Sequence, residues 1–149
     1  MAPPAAIRAV VSDAGLALQI PNDRAALEPV RLAVLDYLGG HALSAKAVFR
    51  MELILEEILM NAIWHAYADA GTHRIDLTVL LTPDEVRLHF EDDGIPFNPL
   101  LADAPQLPSS LDAAVPGGLG LMLVKKYAGR LAYERLHERN SLTVAVARQ

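Results

Sequence analysis

The sequence predicts an α+β two-layer sandwich, with a mixed, mostly antiparallel sheet carrying helices on one face. Three observations carry this. The run Phe49 to Tyr67 contains no Gly or Pro and is rich in Leu, Met, Ala and Glu, all good helix formers. Later segments switch to period-two alternation in adjacent pairs, the signature of strands joined as hairpins. Strands and helices do not alternate as βαβ units, so a doubly wound parallel sheet is not expected. The chain has 149 residues, enough for one two-layer core.

Residues 1–14, beginning Met1-Ala2-Pro3-Pro4, are expected to be a flexible tail, and residues 15–149 the domain. Gly15 to Ile20 is the first expected strand, stopped by Pro21-Asn22-Asp23. Asn22 or Asp23 can cap a helix from Arg24 to Leu38, within which Pro29 either kinks the chain or marks the true first turn. Gly39-Gly40-His41 ends that helix, and Ser44 can cap the central one, which is expected to reach Tyr67. Apolar residues lie on nearly every side of the central helix, so it is expected to be buried rather than half exposed.

After Asp69-Ala70-Gly71 come strands His73 to Leu81 and Glu85 to Glu91, joined by Thr82-Pro83-Asp84. Their two histidines alternate with apolar residues and are expected on the solvent face, without the third ligand a metal site needs. Residues 95–116 hold five of the ten prolines, a length and composition that suit a lid or a disordered loop. Gly117-Gly118-Leu119-Gly120 introduces a short helix expected from about Leu119 to Tyr127 and closed by Gly129. Strands Leu131 to His137 and Leu142 to Ala147 finish the chain, with a turn expected at Arg139-Asn140-Ser141.

Composition narrows the function. A net charge of −5 and the lack of a long Lys/Arg cluster argue against nucleic acid as a direct partner. Lys125, Lys126 and Arg130 make the one basic knot, placed where a helix end favours cations. No uninterrupted apolar run is long enough to span a membrane, and the first residues do not resemble a secretory signal. With no cysteine there are no disulfides or thiolate metal sites, which is compatible with the cytoplasmic location we expect.

Three stretches could carry chemistry. Glu57 and Asn61 lie four apart, hence on one face of the central helix, where a carboxylate and an amide are costly unless bound by something. Asp92-Asp93-Gly94 ends a strand, and such a carboxylate can accept a hydrogen bond from an exocyclic amino group. Gly118 to Gly120 opens a helix whose backbone N–H groups can close on phosphate. It is neither a Walker motif nor a dinucleotide fingerprint. Each stretch alone also has a plain structural explanation: solvated glutamates, an Asp-Gly turn, a Gly-rich bend.

In this order and spacing, the Glu-x-x-x-Asn helix, the Asp-x-Gly, the Pro-rich segment and the Gly-x-Gly helix start resemble the ATP-binding (Bergerat) domain of the GHKL superfamily. The stretches Glu91 to Leu100 and Gly117 to Val124, with the helix ending His65-Ala66-Tyr67, look most like its anti-sigma-factor serine kinases. The resemblance covers about residues 15–147. It implies ATP and Mg²⁺ as cofactors, with Asn61 as the Mg²⁺ ligand and Glu57 as the catalytic base that takes a proton from a serine. It implies further that Asp92 reads adenine, that Gly94 lets the base sit close, and that Gly118, Leu119, Gly120 and Leu121 hold phosphates under a closing lid. The implied partners are a STAS-type anti-anti-sigma protein, a sigma factor and a second copy of the chain. Two departures stand out: Gly129 where relatives commonly have Asp, and Glu138-Arg139-Asn140 where they have Gly-Arg-Asn. Neither is expected to touch the nucleotide residues. The rival readings are a non-catalytic ATP-binding partner switch, an accessory ATPase or histidine-kinase-like module, and a domain that binds no nucleotide. The histidine-kinase module is disfavoured because no phosphoacceptor hairpin precedes the domain.

Overall fold

A computed structural model describes residues 6–65, 71, 73–98 and 118–149. The strands are β1 (Arg8–Ser12), β2 (Gly15–Pro21), β3 (Arg74–Leu81), β4 (Glu85–Asp92), β5 (Arg130–Leu136) and β6 (Arg139–Ala147). The helices are α1 (Leu27–Leu38), α2 (Ala45–His65) and α3 (Gly118–Tyr127). One six-stranded sheet runs β1-β2-β3-β4-β6-β5, and every neighbouring pair among the described residues is antiparallel. The expected α+β layering is therefore present, with the sheet antiparallel throughout.

Alternation sorts the sheet into two faces. Leu16, Leu18, Ile20, Ile75, Leu77, Val79, Val86, Leu88, Phe90, Leu142, Val144 and Val146 turn toward the helices, and all are buried. They meet Val30, Val34 and Leu38 of α1, Met51, Ile54, Leu55, Ile58 and Leu59 of α2, and Val124 of α3. On the opposite face Arg139 bonds Asp76, and His89 sits between Thr143 and Glu91, as expected for a solvent-side histidine. No His/Asp/Glu cluster among the described residues could hold a metal ion. No described helix is long and apolar enough to cross a membrane.

Helix starts follow local chemistry. Asp23 accepts a hydrogen bond from the Ala25 N–H at the head of a short 3₁₀ turn, Arg24–Ala26, and α1 begins after it. Pro29 falls in the first turn of α1, where its missing N–H is not needed. Ser44 Oγ accepts from the Ala47 N–H and caps α2.

Three expectations need correction. Residues 8–12 are not tail: they pair with β2 as an edge strand in which every residue is exposed. Backbone pairing holds this strand, and no buried face marks it in the sequence. The central helix is not buried all round, since Phe49, Glu56 and Trp64 lie on an exposed stripe. Aromatic and cationic neighbours shield part of it: Phe49 packs edge-on to Tyr127, and Arg24 lies over the Trp64 ring. Finally, the last turn is His137-Glu138, both with positive φ, and Asn140 lies within β6. A two-residue hairpin needs that backbone twist whatever residues supply it. The end of the central helix beyond His65 and most of the 95–116 segment lie outside the described residues.

Candidate active site

A slot opens between α2 and the end of β4. It is lined by Ile58, Asn61 and Ala62 from the helix, and by Ile75, Phe90, Asp92, Phe97, Tyr133, Asn140 and Leu142 from the sheet side. The pairing register places these residues: Phe90 faces Leu142, Asp92 faces Asn140, and Tyr133 faces Leu142 from β5. The walls are aliphatic and aromatic and the polar groups few, as in a site for a flat heterocycle.

Asp92 supplies an acceptor. Its Oδ1 takes hydrogen bonds from the Gly94 N–H at 2.9 Å and from the Asn140 amide at 2.9 Å. Its Oδ2 makes no hydrogen bond to any described residue. Gly94 is buried in the turn that wraps this carboxylate, and its carbonyl accepts from Arg135 at 2.8 Å. An oxygen so placed can accept from an amino group at the edge of a base.

Asn61 lines the slot from α2, and its amide bonds no described residue. Mg²⁺ prefers oxygen, keeps several waters and shares phosphate oxygens, so one free side-chain carbonyl suits it better than a closed cage. Asn61 fits that requirement. Glu57, one turn earlier and half-buried, also lacks a hydrogen bond to any described residue. Burial pushes its carboxyl above the usual carboxylate range, and the neighbouring Glu56 carboxylate pushes it further in that direction. Glu57 is not among the residues lining the slot itself. The exposed Glu56 points elsewhere, as its 100° offset requires.

Gly118 opens α3, with Leu119, Gly120 and Leu121 in the first turn. The last residue of α3, Tyr127, meets Phe49 and Arg50 near the start of α2. α3 packs against α2, the helix that carries Glu57 and Asn61. The partial positive charge at the first turn of α3 suits an anion.

Sequence reasoning missed Asn140 and Tyr133. Asn140 is 6% exposed and buried, and it touches Asp92 directly. The turn assignment hid it, because strand register alone brings Asn140 opposite Asp92.

The antiparallel sheet with helices packed on it, and the apolar slot between α2 and β4 that carries Asn61 and Asp92, make this an α+β domain with a candidate ligand site. Residues 20–146 match the histidine kinase-like ATPase domain family. The chain belongs to that family, and so is an ATP-binding, kinase-like domain within the GHKL group. It is 39% identical over 101 residues to the serine/threonine-protein kinase BtrW of Bordetella bronchiseptica, an overlap of 68% of this chain and 71% of that protein. Among solved structures it resembles the blue-light activated histidine kinase of Erythrobacter litoralis, with TM-score 0.53 and 19% identity. That match covers 87% of this chain and 42% of the kinase, and it supports the fold alone. The histidine kinase domain of the same protein aligns with TM-score 0.49 and 20% identity over 87% of this chain and 62% of that one.

Proposed function

We propose that the chain is an anti-sigma regulatory serine/threonine-protein kinase. In this reading it binds Mg·ATP, phosphorylates a serine of a STAS-type anti-anti-sigma protein, and so controls sequestration of a sigma factor. The observation that carries the enzymatic part is Glu57. It is a carboxylate without a hydrogen-bond partner among the described residues, with its basicity raised by burial, one turn from the proposed metal ligand Asn61. The similarity to a serine/threonine kinase over two thirds of the chain supports the same reading.

The chemistry is phosphoryl transfer, in which positioning and charge stabilisation do most of the work. The adenine amino group donates to Asp92 Oδ2 while the apolar slot walls enclose the ring. Asn61 would hold Mg²⁺ through its carbonyl oxygen, and the ion would supply charge neutralisation at the phosphates. The first turn of α3 donates N–H groups to phosphate oxygens. The serine oxygen attacks the γ-phosphorus as its proton passes to Glu57, the bond from that phosphorus to the bridging oxygen breaks, and ADP leaves. A base with raised pKa is better matched to this proton transfer near neutral pH.

The second reading is a non-catalytic ATP-binding partner switch. It is favoured by the position of Glu57 outside the lining of the slot. Transfer of labelled γ-phosphate to a purified STAS-type protein separates the two. Under the kinase reading Glu57→Gln lowers transfer by about 10²- to 10⁴-fold and leaves ATP binding intact. Partner capture that depends on ATP, without transfer by wild type or variant, establishes the switch instead.

A further inference from the structure

We propose that Asn140 is the positioning residue for base recognition. It fixes which oxygen of Asp92 reads the nucleotide and ties that oxygen to the root of the Pro-rich segment. This inference rests on the assignment of the slot to ATP.

All the hydrogen-bonding capacity of the Asn140 amide is used. Its Nδ2 donates to Asp92 Oδ1 at 2.9 Å and to the Ile95 carbonyl at 2.8 Å. Its Oδ1 accepts from the Phe97 N–H at 3.3 Å and from the Tyr133 hydroxyl. Flipping the amide would set its oxygen against the Asp92 carboxylate and the Ile95 carbonyl, and its NH₂ against the Phe97 N–H. The network therefore fixes one orientation. That orientation saturates Asp92 Oδ1, together with the Gly94 N–H, and leaves Oδ2 of this slot-lining residue as the acceptor open to a ligand.

The specificity consequence is chemical. An acceptor held at that point welcomes the amino group of adenine and opposes the carbonyl that replaces it in hypoxanthine. Without Asn140 the carboxylate keeps only the Gly94 N–H and can swing. Selectivity between the two bases then falls along with affinity. The same amide bonds Ile95 and Phe97, so residues that open the Pro-rich segment are set by the group that orients Asp92.

The test is the ratio of dissociation constants for ATP and ITP, measured by calorimetry with Mg²⁺ on wild type, Asn140→Ala, Asn140→Asp and Tyr133→Phe. Asn140→Ala is expected to weaken ATP about tenfold or more and to bring the ATP/ITP ratio toward one. Asn140→Asp keeps the shape and faces Asp92 with a second carboxyl. Its ATP affinity should recover on acidification, when one proton is shared between the two groups. Tyr133→Phe removes one bond from Asn140 and leaves the contact with Asp92, so it should lower selectivity less. An unchanged ATP/ITP ratio in Asn140→Ala and Asn140→Asp, with lower thermal stability alone, overturns the proposal and leaves Asn140 a structural residue. Wild type that binds neither nucleotide overturns the ATP assignment itself.

Discussion

Replacing Asp92 by Asn changes one atom and reverses one polarity. In wild type Oδ1 is held by the Gly94 N–H and the Asn140 amide, and Oδ2 of this slot-lining residue has no hydrogen bond to a described residue. The variant keeps both bonds only by placing its carbonyl at the Oδ1 position, which turns its NH₂ toward the base. A donor then meets the adenine amino donor. The loss of one hydrogen bond to a charged acceptor is about 1.5–3 kcal/mol, a weakening of about ten- to a hundredfold. At ATP a hundred times its wild-type dissociation constant, nucleotide stabilises wild type by about 2.7 kcal/mol. For a domain of this size that is a rise of roughly 5–10 °C in melting temperature. A hundredfold weaker variant at the same ATP gains about 0.4 kcal/mol, roughly 1 °C. Differential scanning calorimetry of both proteins with and without Mg·ATP reads this directly. Without ligand the two should melt within about 3 °C of each other, because the bonds to Oδ1 survive. An ATP-induced rise of wild-type size in Asp92→Asn refutes the assignment of this carboxylate to the base.

Other perturbations test the fold and the catalytic carboxylate. The Glu57 carboxyl is raised in the folded protein, so its ionisation opposes folding: stability is fullest below the unfolded value of about 4.3 and declines as pH rises through the higher folded value. Glu57→Gln should therefore melt above wild type at pH 7.5, with the difference closing toward pH 4 in a pH series of thermal scans. Gly15 has φ +110°, and a Cβ there would lie 2.2 Å from the Val79 carbonyl oxygen. Gly15→Ala should destabilise by about 2 kcal/mol or more, read as a lower urea midpoint. Leu88 is fully buried at the centre of the sheet, and Leu88→Ala should cost about 2–5 kcal/mol in the same assay.

The layered α+β architecture is legible in the sequence because burial is periodic in β2, β3 and β4 and cap residues stand at the helix starts. Asp23 and Ser44 cap where their side chains permit, and Pro29 lies in a first turn. The features that are not legible there depend on pairing more than on composition. The β1 strand exists because β2 offers it backbone partners, while its own side chains stay in solvent. His137-Glu138 carries no glycine, so turn chemistry pointed to the Asn-Ser pair nearby instead. That one misplacement concealed Asn140, whose contact with Asp92 spans 48 residues of sequence. Asp92, Gly94 and Asn61 were legible as candidates because a strand-end Asp-x-Gly and an amide on an apolar helix stand out locally. That Asp92 and Asn61 line one slot is set by the register of β4 with β6 and by α2 packed over it. Gly118 to Leu121 were placed correctly at a helix start, by glycine content alone.

The most direct test of the ATP site is a titration of isotopically labelled protein with Mg·ATP, followed by backbone amide resonances. The account predicts saturable shifts centred on Asn61, on Asp92 to Phe97, on Asn140 and on Gly118 to Leu121. Shifts centred on another surface, such as the groove between α1 and α2 lined by Arg31 and Glu56, or no saturable shift at millimolar ATP, would contradict it.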